Sequence, residues 1–157
     1  MSADCLYFSG VYENRLSAKG QVALPARFRQ FIPDDPARAG FVLLPGRERC
    51  LYLYSAGEFA EVSRRAREAA RGMGASGVEF HRRFREDAVP VEIDAQGRMV
   101  IPEALRDYAG LTGHSVRFVG MGDRVELWDV ETRAQTRMEA EEFDRRRSEA
   151  GDAIFGL

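Results

Sequence analysis

The chain has 157 residues, 45% of them hydrophobic and 31% charged, with 23 Lys+Arg against 25 Asp+Glu. That length suits one domain or two small ones with a buried core. A formal charge of −2 excludes a polybasic protein that coats nucleic acid by charge alone. Apolar runs such as residues 41–44 are far too short to span a bilayer, and the first ten residues lack the cationic and apolar regions of a secretory signal. Cys5 and Cys50 have no zinc-like spacing, which points to a reducing cytosol and not to a disulfide scaffold or a metal site.

The chain repeats itself. Residues 16–29 (LSAKGQVALPARFR) and 93–106 (IDAQGRMVIPEALR) align without gaps. They share Ala18/Ala95, Gly20/Gly97, Pro25/Pro102 and Arg29/Arg106. Apolar positions coincide at Leu16/Ile93, Val22/Met99, Leu24/Ile101 and Phe28/Leu105. Residues 41–54 then match 115–128 through Val42/Val116, Gly46/Gly120 and Leu53/Leu127. Two matches in the same order indicate an internal duplication.

In chain order, the first copy, from Tyr12 to Tyr54, reads as strand, turn, strand, helix, strand, turn, strand. Ser55 and Glu58 form a capping-box pattern opening a helix to about Arg71. Gly72-Met-Gly74 breaks it, and a second such pattern, Ser76 with Glu79, opens a helix to about Arg85. In the second copy, residues 91–94 alternate as a strand, Ala95-Gln96-Gly97 turns, and residues 99–101 return. Gly97 supplies the positive φ such a turn needs. Pro102 suits the first position of a helix that Gly110 ends. Strands at 116–119 and 125–128 flank a turn, and Asp129 caps a last helix running to about Ser148, followed by a frayed tail. The organisation is a first repeat over 11–57, a helical connection over 58–87, a second repeat over 88–131, and a C-terminal helix and tail over 132–157. A unit of about 40 residues buries too little alone, so the two copies are expected to complete one core.

No catalytic constellation is present. His81 and His114 have no ligand-like spacing, and no nucleophile-elbow, zincin, Walker or dinucleotide-binding pattern occurs. No enzymatic activity, cofactor, metal or small-molecule substrate is expected. The turn apices carry more information. Asp94 and Arg98 bracket the second turn, and an arginine fork there can take a guanine edge or a phosphate. The bland alternative is a cross-strand ion pair. The first apex holds Lys19 and Gly20, and from Val11 to Arg29 the cations Arg15, Lys19, Arg27 and Arg29 face one acid, Glu13, a local charge of +3. Two related apices, each with a cation beside glycine, make a repeated electrostatic footprint. The arginines at 64, 65, 67 and 71, and at 82, 83 and 85, read as a solvated helix face or inter-subunit ion pairs. The aromatic strand ends Leu51-Tyr-Leu-Tyr54 and Val125-Glu-Leu-Trp128 read as packing more than as a base-stacking platform.

Residues 12–29, residues 93–106 and the segment Val119-Gly-Met-Gly-Asp-Arg-Val-Glu-Leu-Trp-Asp129 together resemble the MraZ family of bacterial transcriptional regulators, over roughly residues 7–130. The resemblance implies a β-rich α+β fold: two tandem AbrB-type swapped-hairpin repeats closed as an intramolecular pseudo-dimer, with connecting and C-terminal helices. It also implies a ring-like homo-oligomer at the nucleoid that binds double-stranded DNA. The sites would be promoter direct repeats before the division and cell-wall gene cluster, which includes its own gene. The family's Asp-x-x-x-Arg pattern is present as Asp94 and Arg98. In the first copy Ser17 and Gln21 stand in its place. Arg15, Lys19, Gly20, Gln21, Asp94, Gln96, Gly97 and Arg98 are therefore the candidate DNA-binding residues. With Gln21, either the first apex reads a different base, or the second dominates and Lys19 adds non-specific charge. A different class of reading is an oligomeric assembly module with weakened DNA binding, and an antitoxin-like role on the same kind of fold is a further one.

Overall fold

The strands flanking each apex do not pair with one another. The computed structural model describes residues 8–30 and 40–156; Cys5 lies outside them. The first copy supplies β1 (Phe8–Arg15), β2 (Gln21–Ala23), α1 (Ala26–Arg29), β3 (Phe41–Pro45) and β4 (Leu51–Ser55). The second supplies β5 (Val89–Val91), β6 (Arg98–Val100), α4 (Glu103–Ala109), β7 (Ser115–Gly122) and β8 (Val125–Asp129). Between them lie α2 (Ala56–Arg71) and α3 (Gly77–Asp87), and α5 (Val130–Thr136), α6 (Ala140–Glu149) and α7 (Gly151–Phe155) follow. Helices hold more of the described residues than strands do, because the connection and the C-terminal part are helical. The core itself is built mainly from strands, with Phe28 of α1 and Leu105 and Ala109 of α4 packed into it.

A six-stranded sheet has the order β1-β7-β8-β4-β3-β5, and β2 and β6 form a separate two-stranded ribbon. All pairings are antiparallel. The copies exchange their strands: β1 pairs with β7, β5 with β3, and β2 with β6. Both central ladders are symmetric. In the ribbon, Val22 faces its repeat mate Met99, and in the sheet Leu51↔Leu127 and Leu53↔Val125 flank Tyr52↔Glu126. This is the swapped-hairpin pseudo-dimer that the family resemblance implied, in an α+β chain.

The exchange follows from burial. Val22, Leu24 and Phe28 from one copy and Met99, Ile101 and Leu105 from the other enter one cluster with Leu43, Leu51, Phe118 and Leu127. Neither copy could remove these side chains from water alone. Phe28 is fully buried, its ring meeting Phe8 and Tyr12 edge-on at centroid distances of 5.5 and 5.2 Å. A second cluster, Leu44, Tyr54 and Phe59, lies beneath α2 and α3, where Phe59 stacks on Phe84 at 6.4 Å.

Several local expectations change. The strand expected over 91–94 ends at Val91, because its partner is β3, and residues 92–94 leave the sheet to reach the ribbon. Leu43 and Phe118 occupy equivalent places opposite Leu53 and Leu127, so the match of Val42 with Val116 is displaced by one residue. One residue more lies between Pro45 and Leu51 than between Gly120 and Val125, and Glu48 and Arg49 absorb it at positive φ. Pro25 and Pro102 stand one position earlier than expected, as the caps before α1 and α4.

Ser55 accepts from the Glu58 N–H at 3.3 Å, as a cap should, whereas the Ser76 hydroxyl donates to the Met73 carbonyl at 3.0 Å and caps nothing. Gly110 ends α4 in the left-handed region (φ 66°). Asp129 caps α5 through the Thr132 N–H and hydroxyl, each at 3.0 Å. The helix expected to run on to Ser148 breaks at Arg137 (ψ 132°), and residues expected to fray form α7.

The single core makes a testable demand. Phe28→Ala should destabilise the whole protein by about 3–5 kcal/mol, in one cooperative transition on urea unfolding. Separate transitions for the two copies would contradict a shared core.

Candidate nucleic-acid interface

Both apices have the same backbone design. In the first, the Ser17 N–H donates to the Gln21 carbonyl (2.9 Å) and the Gly20 N–H to the Ser17 carbonyl (3.0 Å). In the second, the Asp94 N–H donates to the Arg98 carbonyl and the Gly97 N–H to the Asp94 carbonyl, both at 2.9 Å. A side-chain oxygen then ties each turn from inside. Ser17 Oγ accepts from the Gln21 N–H at 3.0 Å, and Asp94 Oδ1 from the Arg98 N–H at 2.8 Å and the Gln96 N–H at 2.9 Å. Serine thus reproduces the aspartate's hold on the turn.

What serine does not reproduce is the grip on a side chain. Asp94 Oδ2 accepts from Arg98 Nε at 3.0 Å, and Gln96 Oε1 from Arg98 Nη2 at 3.4 Å. Arg98 Nη1 has no protein partner among the described residues. The Arg98 backbone N–H first, then its guanidinium and the Gln96 N–H, hold the Asp94 carboxyl below its ordinary range. In the first apex the Gln21 amide has no hydrogen-bond partner among the described residues.

Each glycine is needed by the other copy. Gly20 and Gly97 take φ +83° and +79°, where L side chains are rarely found. Gly20 lies beneath the Arg106 guanidinium: an added Cβ would stand 2.7 Å from Arg106 Nε. An added Cβ at Gly97 would overlap the Arg29 side chain. Arg106 Nε donates to the Ile101 carbonyl at 2.9 Å, and Arg29 Nη1 to the Gln96 carbonyl at 2.6 Å. Two further bonds lock the apices across the repeats, Ile101 N–H to the Gly20 carbonyl (2.8 Å) and Leu24 N–H to the Gly97 carbonyl (2.7 Å). Arg29 is therefore a brace and not part of the free basic footprint. Arg15, Lys19 and Arg27 stay exposed, while Glu13 is paired with Arg117.

The apices lead into the ribbon, and the ribbon decides which side chains they present. Val22 and Met99 are each 1% exposed and point into the core. Alternation then places Gln21, Ala23, Arg98 and Val100 on the opposite, outer face. Gln21 stands opposite Val100, and Ala23 opposite Arg98. Val100 is 54% exposed although apolar. A two-stranded ribbon of this kind fits the major groove of B-form DNA.

The other candidates recede. Arg64 pairs with Glu61 and Glu68, and Arg82 with Glu79, as on a solvated helix face. Trp128 and Tyr54 are buried, as packing requires. His114 is exposed and His81 half-buried, its Nε2 lacking a partner among the described residues. Burial first, then Glu126 and Glu48, push the Cys50 thiol up to about 12, which leaves no thiolate to react at neutral pH.

A sequence profile of the family described as "MraZ protein, putative antitoxin-like" matches residues 84–152. A protein of Arthrobacter sp. (strain FB24) named Transcriptional regulator MraZ is 37% identical over 150 residues, covering 96% of this chain and 99% of its own length. The chain belongs to the MraZ family. A MraZ protein of Paenarthrobacter aurescens is 40% identical over 124 residues (79% of this chain, 82% of the relative). One of Kocuria rhizophila is 41% identical over 123 residues (78% and 81%). Both carry the same name, transcriptional regulator.

Sequence reading of this MraZ chain missed the bracing by Arg29 and Arg106, though their identity in the two copies was the available signal. It also missed Ala23 and Val100, whose exposure depends on the exchanged pairing. The Asp94 anchor gives a direct test. Asp94→Ser should fold like the parent, with little change in thermal midpoint, because Ser17 already makes this turn. The Arg98 Nε–H resonance should lose its protection in the variant. In the parent the anchor is present above the carboxylate range and is lost as pH falls through the depressed Asp94 pKa, so the same resonance should broaden in acid.

Proposed function

We propose that this protein is a sequence-specific DNA-binding transcriptional regulator that docks the ribbon of β2 and β6, with its two apices, into the major groove. The observation that carries the reading is the anchoring of Arg98. A guanidinium held by Asp94 and Gln96, on a ribbon whose inner face is core, is presented in a fixed direction with one nitrogen unclaimed. Holding a side chain in its bound geometry lowers the entropic cost of binding. Arg98 would take a guanine edge, while Arg15 and Lys19 meet phosphates and set position. The relatives' shared name, transcriptional regulator, supports the same class of function.

The finer reading is that the protein acts in the cytoplasm, at the nucleoid, on direct repeats before the division and cell-wall gene cluster that contains its own gene. It would act there as a ring-like homo-oligomer. No helix among the described residues is long and apolar enough to cross a membrane. No residue of α6 is buried, and Phe143, Ile154 and Phe155 are exposed, which suits helices that take part in assembly. Each chain offers few phosphate contacts, so binding several repeats through linked subunits would raise the overall affinity.

The decisive experiment is binding to DNA upstream of the protein's own gene. Arg98→Ala should lose roughly tenfold or more in affinity while melting like the parent. Lys19→Ala should weaken binding to all sequences alike and reduce the slope of log K against log salt by about one. Undiminished promoter binding by a folded Arg98→Ala protein would overturn the assignment. Absence of any complex at low salt would favour an assembly module instead.

A further inference from the structure

We propose that the ribbon is a two-letter reader without two-fold symmetry, whose two halves select different base pairs. The inference rests on the DNA-binding reading above and deepens it. The outer face has two cross-strand pairs, Arg98 with Ala23 and Gln21 with Val100, related by the pseudo-dyad between Val22 and Met99. Gln21 and Arg98 are diagonal neighbours, so their backbones lie roughly 7–8 Å apart. Both therefore work within the same few base pairs of one groove.

The two pairs differ chemically. A guanidinium takes guanine O6 and N7, and the small Ala23 beside it adds no bulk. A glutamine amide takes adenine N6 and N7, and the same A·T pair presents the thymine methyl in the major groove. Val100, directly opposite Gln21 and 54% exposed, is the apolar group that would touch that methyl. An exposed valine on a DNA-facing ribbon thereby gains a role. Gln21 is held for this work, since Ser17 fixes its backbone N–H at 3.0 Å and the amide has no partner among the described residues. Two arginines at the dyad-related positions would let the two halves read alike. Arginine with glutamine makes the halves differ, with a G·C pair under the second copy and an A·T pair under the first.

The test is selection of bound duplexes from a random pool by the full-length protein, by Gln21→Arg and by Val100→Ala. The parent should enrich a non-palindromic core with one guanine position and one A·T position, each preferred roughly tenfold. Gln21→Arg should change the A·T position to guanine and leave the other untouched. Val100→Ala should relax the thymine preference several-fold without altering the guanine position. A palindromic core for the parent, or a Gln21→Arg protein with the parent's preferences, overturns the proposal while leaving DNA binding in place. If the parent enriches no sequence at all, the DNA-binding reading itself falls. Thermal melting of both variants checks that they are folded.

Discussion

Everything in this molecule depends on the inability of either repeat to close on itself. A unit of about 40 residues exposes too much of its apolar surface to be stable alone. Val22, Leu24 and Phe28 find cover only beside Met99, Ile101 and Leu105. The exchange of β2 with β6 supplies that cover, and it brings the two apices onto one ribbon. Their placement is therefore a property of the whole core. A recognition surface built this way inherits the core's rigidity, which loops on the surface of a domain lack.

The braces extend the same logic to the apices. Arg29 and Arg106 reach across the exchange to lie over Gly97 and Gly20. Each spends a cation on geometry, through bonds to the Gln96 and Ile101 carbonyls. An arginine used so cannot also attract DNA freely, and the local charge of +3 in residues 11–29 overstates the field available. The cations left to the interface are fewer and better placed. Covalent linkage of the copies has another effect. In a homodimer both apices must carry the same residues, whereas within one chain Ser17 can keep the turn while Gln21 replaces the arginine.

The duplication was legible because burial constrains it: Val22/Met99 and Leu24/Ile101 must stay apolar in any copy that enters the core. The apex turns were legible through Gly20 and Gly97, since few residues accept that φ. Strand partners were not, because residues 92–94 alternate locally as well as a strand would and only the long-range pairing of β5 with β3 ends it at Val91. The one-residue displacement between β3 and β7 was hidden for a related reason. Its cause lies in the backbone of Glu48 and Arg49, whose residue types give no signal of positive φ. The C-terminal break at Arg137 has no glycine or proline to mark it. Of the candidate site, the polar groups were visible as residue types. The exposure of Val100 was not, because an apolar residue in a strand is ordinarily read as core.

Charge, the feature that excluded a polybasic nucleic-acid coat at the outset, takes a different meaning once it is located. The excess acid lies in the C-terminal helices, where Arg145, Arg146 and Arg147 are paired with Glu149, Glu142 and Asp144 along α6. The ribbon faces the opposite problem, since few cations are free near it. Non-specific affinity grows with the number of phosphates neutralised, so a chain with few such contacts discriminates mainly through base edges. That division favours selectivity over strength in each chain. On the proposed function, strength would come from several chains engaging successive sites, with each bound copy raising the local concentration of the next. A near-neutral protein with one anchored arginine is on this reading a reader whose affinity is set by assembly and whose specificity is set by the ribbon.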